Sequence, residues 1–66
     1  MKLLILEACR GKDRQTVAIN TEAVESLVQE PDGTISLATK HTTFSFPKQD
    51  FRAFVDKLER TARGAV

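Results

Sequence analysis

The sequence predicts an α+β fold: a small antiparallel sheet of four to five strands in meander order, followed by one C-terminal amphipathic helix packed on one face. From Thr34 to Phe46, apolar and polar residues alternate with the period of two that is typical of strands. From Pro47 to Arg63, apolar residues recur with the helical period of 3.6. The change of period at a proline places the helix after the strands, and the 66 residues fit a single domain, 1–66.

The predicted strands cover about residues 2–8, 15–20, 24–29, 34–39 and 42–46, and Ile35 and Leu37 are predicted to face inward in the fourth. Leu3 to Leu6 are all apolar, which is the pattern of a strand covered on both faces. Cys9 to Arg14 is polar and contains Gly11, so it predicts a hairpin loop. Glu30-Pro31-Asp32-Gly33 predicts a tight turn, because proline presets φ and glycine accepts a positive φ.

Residues 20–29 fit two local structures. In one, Asn20 or Thr21 caps a short helix that begins at Glu22. In the other, a turn at Asn20–Ala23 precedes a strand at about Val24–Gln29. The strand is the favoured alternative.

The helix is predicted over residues 47–63. Pro47 fits its first turn, Asp50 lies near the positive end of its dipole, and Gly64 is a natural C-terminal cap. Its apolar side chains form one stripe, made of Phe51, Phe54, Val55, Leu58 and Ala62. Its oppositely charged i,i+4 pairs are Arg52–Asp56, Asp56–Arg60 and Glu59–Arg63.

A chain this short needs support beyond its own core. Below about 70–80 residues, natural domains add disulfides, a metal or oligomerisation. Cys9 is the only cysteine and His41 the only histidine, so an intrachain disulfide is excluded and a metal site is not expected. One helix covers one face of the sheet, and a second copy of the chain is the simplest cover for the other. The sequence therefore predicts a homodimer.

The composition predicts a cytoplasmic protein with no membrane contact. Ten basic residues oppose nine acidic ones, so the net charge of +1 gives no polyelectrolyte signal. The first apolar run stops at Glu7, too early for a signal peptide, and no stretch approaches the roughly 20 apolar residues of a membrane span. A lone cysteine suits a reducing compartment.

The residues that could carry chemistry favour structural interpretations. No motif sets a nucleophile or a second acid–base group against His41, which we interpret as a polar turn residue. Cations follow Cys9 and would favour a reactive thiolate, but no CxxC or partner histidine motif accompanies it, so a half-buried structural cysteine is favoured. The acidic residues lack metal-loop spacing. We expect no enzyme and no catalytic, cofactor-binding or metal-binding residues.

The main functional interpretation is a small non-enzymatic regulatory or protein-interaction module, homodimeric and acting through a protein partner. The alternative is a nucleic-acid-binding regulator in which Arg10, Lys12 and Arg14 contact phosphates. The negative charge of Asp13, between Lys12 and Arg14, lowers the net positive charge of that group. The chain has no Trp or Tyr, and its four Phe residues occupy core-type positions, so exposed stacking platforms are not evident.

Two stretches resemble known families. Asn20-Thr21-Glu22-Ala23-Val24-Glu25-Ser26-Leu27, followed by a hairpin at Pro31 to Leu37 and a helix at Asp50 to Glu59, is similar to the small FlbD-type proteins of bacterial flagellar operons. Phe46 to Phe54 resembles the F-x-P-x-x-W-x-x-F ending of short actinobacterial domains of unknown function, with Phe51 in place of the Trp and without the family's spacing between the Phe and the Pro. Neither resemblance supplies a catalytic residue.

Overall fold

Five antiparallel strands and one C-terminal helix make up the fold. The structure is a computed structural model that describes residues 2–64. In chain order its elements are β1 (Leu3–Arg10), β2 (Asp13–Asn20), a 3-10 turn (Thr21–Ala23), β3 (Val24–Gln29), β4 (Ile35–Thr39), β5 (Thr43–Phe46) and α1 (Phe51–Ala62). The predicted α+β class, with an antiparallel sheet and one C-terminal helix, is confirmed.

The strands are ordered β2-β1-β5-β4-β3 across the sheet. The β1–β2 hairpin is paired along its whole length, from Leu3 opposite Asn20 to Arg10 opposite Asp13. Strands β3, β4 and β5 form a meander. The hairpin and the meander meet where β1 lies beside β5, with a single register pair, Cys9 opposite Ser45. The sheet therefore consists of two well-paired units joined along a narrow contact.

The sheet must curl, because its two outer strands are consecutive in the chain. Strands β2 and β3 lie at opposite edges, and only the three residues of the 3-10 turn connect them. The outer strands of a flat five-stranded sheet are about 19 Å apart. A 3-10 connection of this length advances only about 8 Å between its flanking residues. The sheet is therefore an incomplete barrel, with an open seam between β2 and β3.

Hydrogen bonds fix the 3-10 turn that connects β2 to β3. The backbone N–H and the hydroxyl of Thr21 both donate to the carbonyl of Lys2, each at 2.9 Å. The Asn20 side chain accepts from the N–H of Glu22 at 3.1 Å and caps the turn. The favoured alternative for residues 20–29 is confirmed, because a 3-10 turn capped by Asn20 precedes the strand Val24–Gln29. The other alternative, a helix that begins at Glu22, does not form.

The core lies inside the curled sheet and under the helix. Ring centroids of Phe46 and Phe54 are 5.1 Å apart, which joins β5 to α1. The helix packs against the 3-10 turn and β1. The buried hydrophobic residues are Ala8, Ile19, Ile35, Leu37, Phe46, Phe54 and Leu58. The predicted inward positions of β4 are confirmed, because Ile35 and Leu37 are both 0% exposed.

Helix α1 begins four residues later than predicted. Pro47 lies outside it, because the Asp50 side chain accepts from the N–H of Ala53 at 3.1 Å and fixes the N-cap there. At the other end Gly64 has φ +78°, as expected of a C-terminal cap. Among the described residues the ion pairs Asp56–Arg60 (3.9 Å) and Glu59–Arg63 (2.8 Å) form, whereas the predicted pair Arg52–Asp56 does not.

The first hairpin loop is much shorter than predicted. Only Gly11 and Lys12 lie between β1 and β2, and Gly11 has φ +64°. A two-residue turn with a positive φ at its first position matches the right-handed twist of the strands, so the ladder continues to the turn. The polar residues of Cys9 to Arg14 are therefore mostly strand residues in a hairpin that extends past the core.

Replacing Asp50 with Ala is expected to destabilise the protein by about 1 kcal/mol, because the first turn of α1 loses its capping acceptor. Urea unfolding followed by circular dichroism measures this change. Asp56→Ala is the matched control. Its carboxylate makes only the long, exposed contact to Arg60, so we expect a change of a few tenths of a kcal/mol. Equal effects of the two substitutions would contradict the assigned cap.

The β3–β4 turn contains a carboxylate with an altered titration. The Thr34 hydroxyl donates to Asp32 Oδ1 at 2.7 Å and the Thr34 N–H donates to the same oxygen at 2.9 Å. These bonds lower the pKa of Asp32. Gly33 has φ +92° and its N–H donates to the Glu30 carbonyl, which confirms the predicted turn.

The Asp32 carboxylate is expected to stabilise the fold above its unfolded-state pKa, and this contribution is lost as the pH falls through its lower folded-state pKa. Thr34→Val removes the hydroxyl donor, so the pKa of Asp32 should move up toward its ordinary value. A carboxyl-carbon NMR titration of both proteins tests this directly. An unchanged Asp32 titration in the variant would contradict the role of the hydroxyl.

Candidate interaction surfaces

The outer face of the β1–β2 hairpin has an exposed apolar patch. Alternation along β1 turns Leu4 and Leu6 toward the core, while Leu3 and Ile5 face outward and are 52% and 69% exposed. Ile5 lies directly opposite Ala18, which is also exposed. We call Leu3, Ile5 and Ala18 the apolar patch. The predicted two-sided apolar character of β1 is present, and one side has no cover among residues 2–64.

The remainder of the outer face is dominated by small and polar side chains. These include Glu7, Thr16, Ser26, Ser36, Thr43 and Ser45. Val28, on β3 at the opposite edge of the sheet, is the other exposed large hydrophobic residue in the described range, at 50%. The apolar patch is therefore confined to one side of the molecule.

Strand β2 has an unpaired edge beside this patch. The two-residue turn makes Arg10 and Asp13 a hydrogen-bonded pair, and such pairs alternate with non-bonded ones along an antiparallel ladder. Every second residue of β2 therefore directs its N–H and C=O away from β1. These residues are Arg14, Thr16 and Ala18, and Asn20 follows them as the N-cap of the 3-10 turn. In the sheet of residues 2–64, β2 pairs with β1 alone, so these backbone groups form an open edge, which we call the β2 edge.

A cleft of about 340 Å³ opens beside the end of β2. We call it the seam cleft, since it lies between β2 and the connection from β4 to β5. It is lined by Ala18, Ile19, Asn20, Ala23, Thr39, Lys40, His41 and Phe44. Within residues 2–64, its two ionisable side chains are Lys40 and His41, both exposed and basic, and no Asp, Glu or Cys of that range lines it. The seam cleft is therefore apolar at β2 and basic at the β4–β5 loop.

A larger depression, of about 630 Å³, lies along the first turns of α1. All its lining residues fall between Asp50 and Asp56, on one short segment of chain. It is open helix surface, and no second element contributes a side chain to it. The seam cleft, which four separate parts of the chain build, is the better candidate site.

The structure places Arg10, Lys12 and Arg14 at the tip of the first hairpin, all exposed. The ion pairs found within residues 2–64 lie in α1 and at its C-cap Arg63, so neither involves these cations. Strand alternation puts Arg10 and Arg14 on opposite faces, and Arg10 is paired in register with Asp13. The hairpin gathers the three cations in space but does not present them on a common face.

Cys9 is half-buried, in the notch where β1 and β5 meet. The notch has a volume of about 330 Å³. Besides Cys9, its lining residues are Ala8, Arg10, Gln15, Thr42, Thr43, Phe44 and Ser45, so within residues 2–64 no histidine or carboxylate side chain lines it. In the part of the chain that the structure describes, no group of three His, Cys, Asp or Glu side chains is placed to hold a metal ion. No helix there has the length and apolar character needed to cross a membrane.

Comparison with protein-family models, with curated proteins and with solved structures finds no match to this chain. The resemblances to the flagellar-operon and actinobacterial proteins stay predictions. The residues that reasoning from the sequence missed are those of the β2 edge and the seam cleft. Their placement depends on the strand order, and the local pattern of apolar residues contains no signal for it.

Proposed function

We propose that the protein is a non-enzymatic, homodimeric protein-interaction module with a regulatory role exercised through a protein partner. The observation that carries this proposal is the exposed apolar patch beside the unpaired β2 edge. Covering a large aliphatic side chain is worth about 1.5–3 kcal/mol, so Leu3 and Ile5 favour association. Contiguous exposed apolar surface of this kind marks contact sites in soluble proteins.

Two further observations support self-association on the β1–β2 side. The chain is small for a single core, and it has no second cysteine with which to cross-link that core. On the β1–β2 side, exposed apolar side chains lie beside unpaired backbone groups. On β3, by contrast, Val28 is a single exposed large hydrophobic residue among those described.

Ala18→Glu is expected to shift the protein from dimer to monomer, because it places a charge in the apolar patch and against the β2 edge. Sedimentation equilibrium measures the mass against that of the 7.4 kDa chain. Ala38→Glu is the matched control, since Ala38 lies on the same outer face but in β4, away from the patch. We expect that variant to stay dimeric.

Two results would contradict the proposed homodimer. One is a wild-type mass of a single chain at every concentration tested. The other is equal dissociation of the Ala18 and Ala38 variants, which would show that the effect has no relation to the β1–β2 side.

Nucleic-acid binding is the second candidate. The observation that favours it is the gathering of Arg10, Lys12 and Arg14, exposed and outside the described ion pairs, at one hairpin tip. Binding through phosphates would weaken steeply as salt rises. Reversing Lys12 and Arg14 to Glu should then abolish oligonucleotide binding at low salt in a fluorescence anisotropy titration. Reversing Arg52 and Lys57 on α1 is the control, and equal losses would exclude the hairpin as the surface.

A further inference from the structure

We propose that the seam cleft is a binding site for a small monocarboxylate with an apolar body. The inference goes beyond the proposed homodimer and does not rest on it, because one chain supplies every residue of the cleft. Three features select this ligand chemistry: the size of the cleft, its apolar wall, and a set of hydrogen-bond donors that has no acid beside it.

The size and wall of the cleft fit a compact apolar group. Its volume of about 340 Å³ is at the lower end of the range for ligand pockets, which is about 300–1,000 Å³. At roughly 30 Å³ for each water-sized group, it accommodates about eleven non-hydrogen atoms. Ala18, Ala23 and the half-buried Phe44 form its apolar lining. The ring of Phe44 lies 6.5 Å from that of Phe46, so this wall is continuous with the core.

Asn20 provides a donor at the β2 end of the cleft. Its Oδ1 accepts from the N–H of Glu22 at 3.1 Å. An N–H needs an oxygen acceptor, so this bond fixes the orientation of the amide and leaves Nδ2, with its two N–H groups, as the other end. Within the described part of the chain, Nδ2 has no acceptor, and no buried side-chain nitrogen lacks a partner. The Nδ2 group is therefore accessible to a ligand.

A hydrogen-bonded turn provides two further donors on the opposite side. Lys40 and His41 are the central residues of this turn, which Thr39 and Thr42 close. The N–H and the hydroxyl of Thr39 donate to the Thr42 carbonyl at 2.8 and 3.1 Å, and the Thr42 N–H donates to the Thr39 hydroxyl at 3.3 Å. Lysine carries three N–H groups, and histidine carries at least one in either protonation state. The turn thus holds two basic side chains at the cleft.

The charge of the cleft selects an anion. In the part of the chain that the structure describes, no carboxylate lines the cleft, and the ion pairs lie in α1 and at its end. Glu22 adjoins Ala23 in the chain, but it is exposed and pairs with neither cation. A carboxylate has two oxygens and about four lone-pair sites, enough to accept from Asn20, Lys40 and His41 together. Its charge makes each such bond roughly twice as strong as a neutral one.

The probe for this site is 3-phenylpropionate, whose size matches the cleft and which joins an aromatic ring to one carboxylate. Titration followed by ¹⁵N–¹H correlation spectra should give saturable shifts with a dissociation constant on the order of 1 mM, as expected of so small a ligand. The shifts should be centred on the amides of the cleft residues, namely Ala18, Asn20, Ala23, Lys40, His41 and Phe44. The absence of saturable shifts there would overturn the proposal.

Two control ligands separate the contributions of charge and body. The neutral 3-phenylpropionamide keeps the ring and loses the charge, and acetate keeps the charge and loses the ring. Each is expected to bind about tenfold more weakly than 3-phenylpropionate, or worse. Equal binding of the amide would overturn the selection for an anion. Equal binding of acetate would show an adventitious ion only.

Asn20→Asp tests the donor at the β2 end while it keeps the turn intact. Aspartate is as good an N-cap as asparagine, so the Glu22 N–H retains its acceptor. The substitution replaces Nδ2 by a carboxylate oxygen, so 3-phenylpropionate should bind about tenfold more weakly, or worse, to a protein whose spectrum stays folded. Asn20→Ser keeps a capping oxygen without adding charge and should weaken binding by only about threefold. Unchanged binding to the Asp variant would contradict the assigned donor.

Lys40→Gln tests the basic side of the cleft. It is expected to weaken binding of 3-phenylpropionate by about three- to tenfold, because a charged donor is lost. Lys57→Gln on α1 is the matched control, since Lys57 is equally exposed and lies outside the cleft, and its binding should equal that of the wild type. Equal losses in the two variants would show a general attraction to cations and overturn the site.

The result is independent of the oligomeric state. Sedimentation equilibrium measures the proposed homodimer, whereas the titration measures the cleft of each chain. A protein that does not bind 3-phenylpropionate would leave the homodimer in place, and a monomer that binds it would keep the ligand site.

Discussion

The short connection between β2 and β3 is the constraint on which the rest of the structure depends. Three residues must carry the chain from one edge strand of the sheet to the other. The paired donation of the Thr21 N–H and hydroxyl to the Lys2 carbonyl fixes the start of this path beside β1. Because the connection is short, the sheet has to curl, and the curl creates both the enclosed core and the open seam.

The location of the candidate surfaces follows from this incomplete closure. Strand β1 is paired on both sides, whereas β2 and β3 meet only through their connection and leave an opening. Helix α1 covers part of the interior by contact with the 3-10 turn and β1, and Phe54 reaches Phe46 there. The β2 edge and the seam cleft lie where this covering ends. The position of these two candidate surfaces is thus a consequence of the incomplete closure of the barrel.

The sequence predicted the elements whose signal is local. Period-two alternation identified Ile35 and Leu37 as inward residues, and the helical stripe identified Phe54 and Leu58. The helix start predicted at residue 47 was wrong, because the side chain of Asp50, and not Pro47, defines the N-terminus of the helix. The predicted meander order holds for β1–β2 and for β3–β4–β5, but the pairing of β1 with β5 was not predictable, since it joins residues far apart in sequence through one register pair at Cys9. The candidate site depends on that pairing.

The β2 edge lacks most of the features by which proteins protect an open strand. Such strands are usually short, or they have a proline, a bulge or an inward-pointing charge. Strand β2 has eight residues and pairs regularly with β1, and its charged residues, Asp13 and Arg14, are both at the hairpin end. The central residues Thr16 to Ile19 contain no charge that would oppose another strand. An edge left this open favours a specific partner, because an uncovered one would promote uncontrolled association.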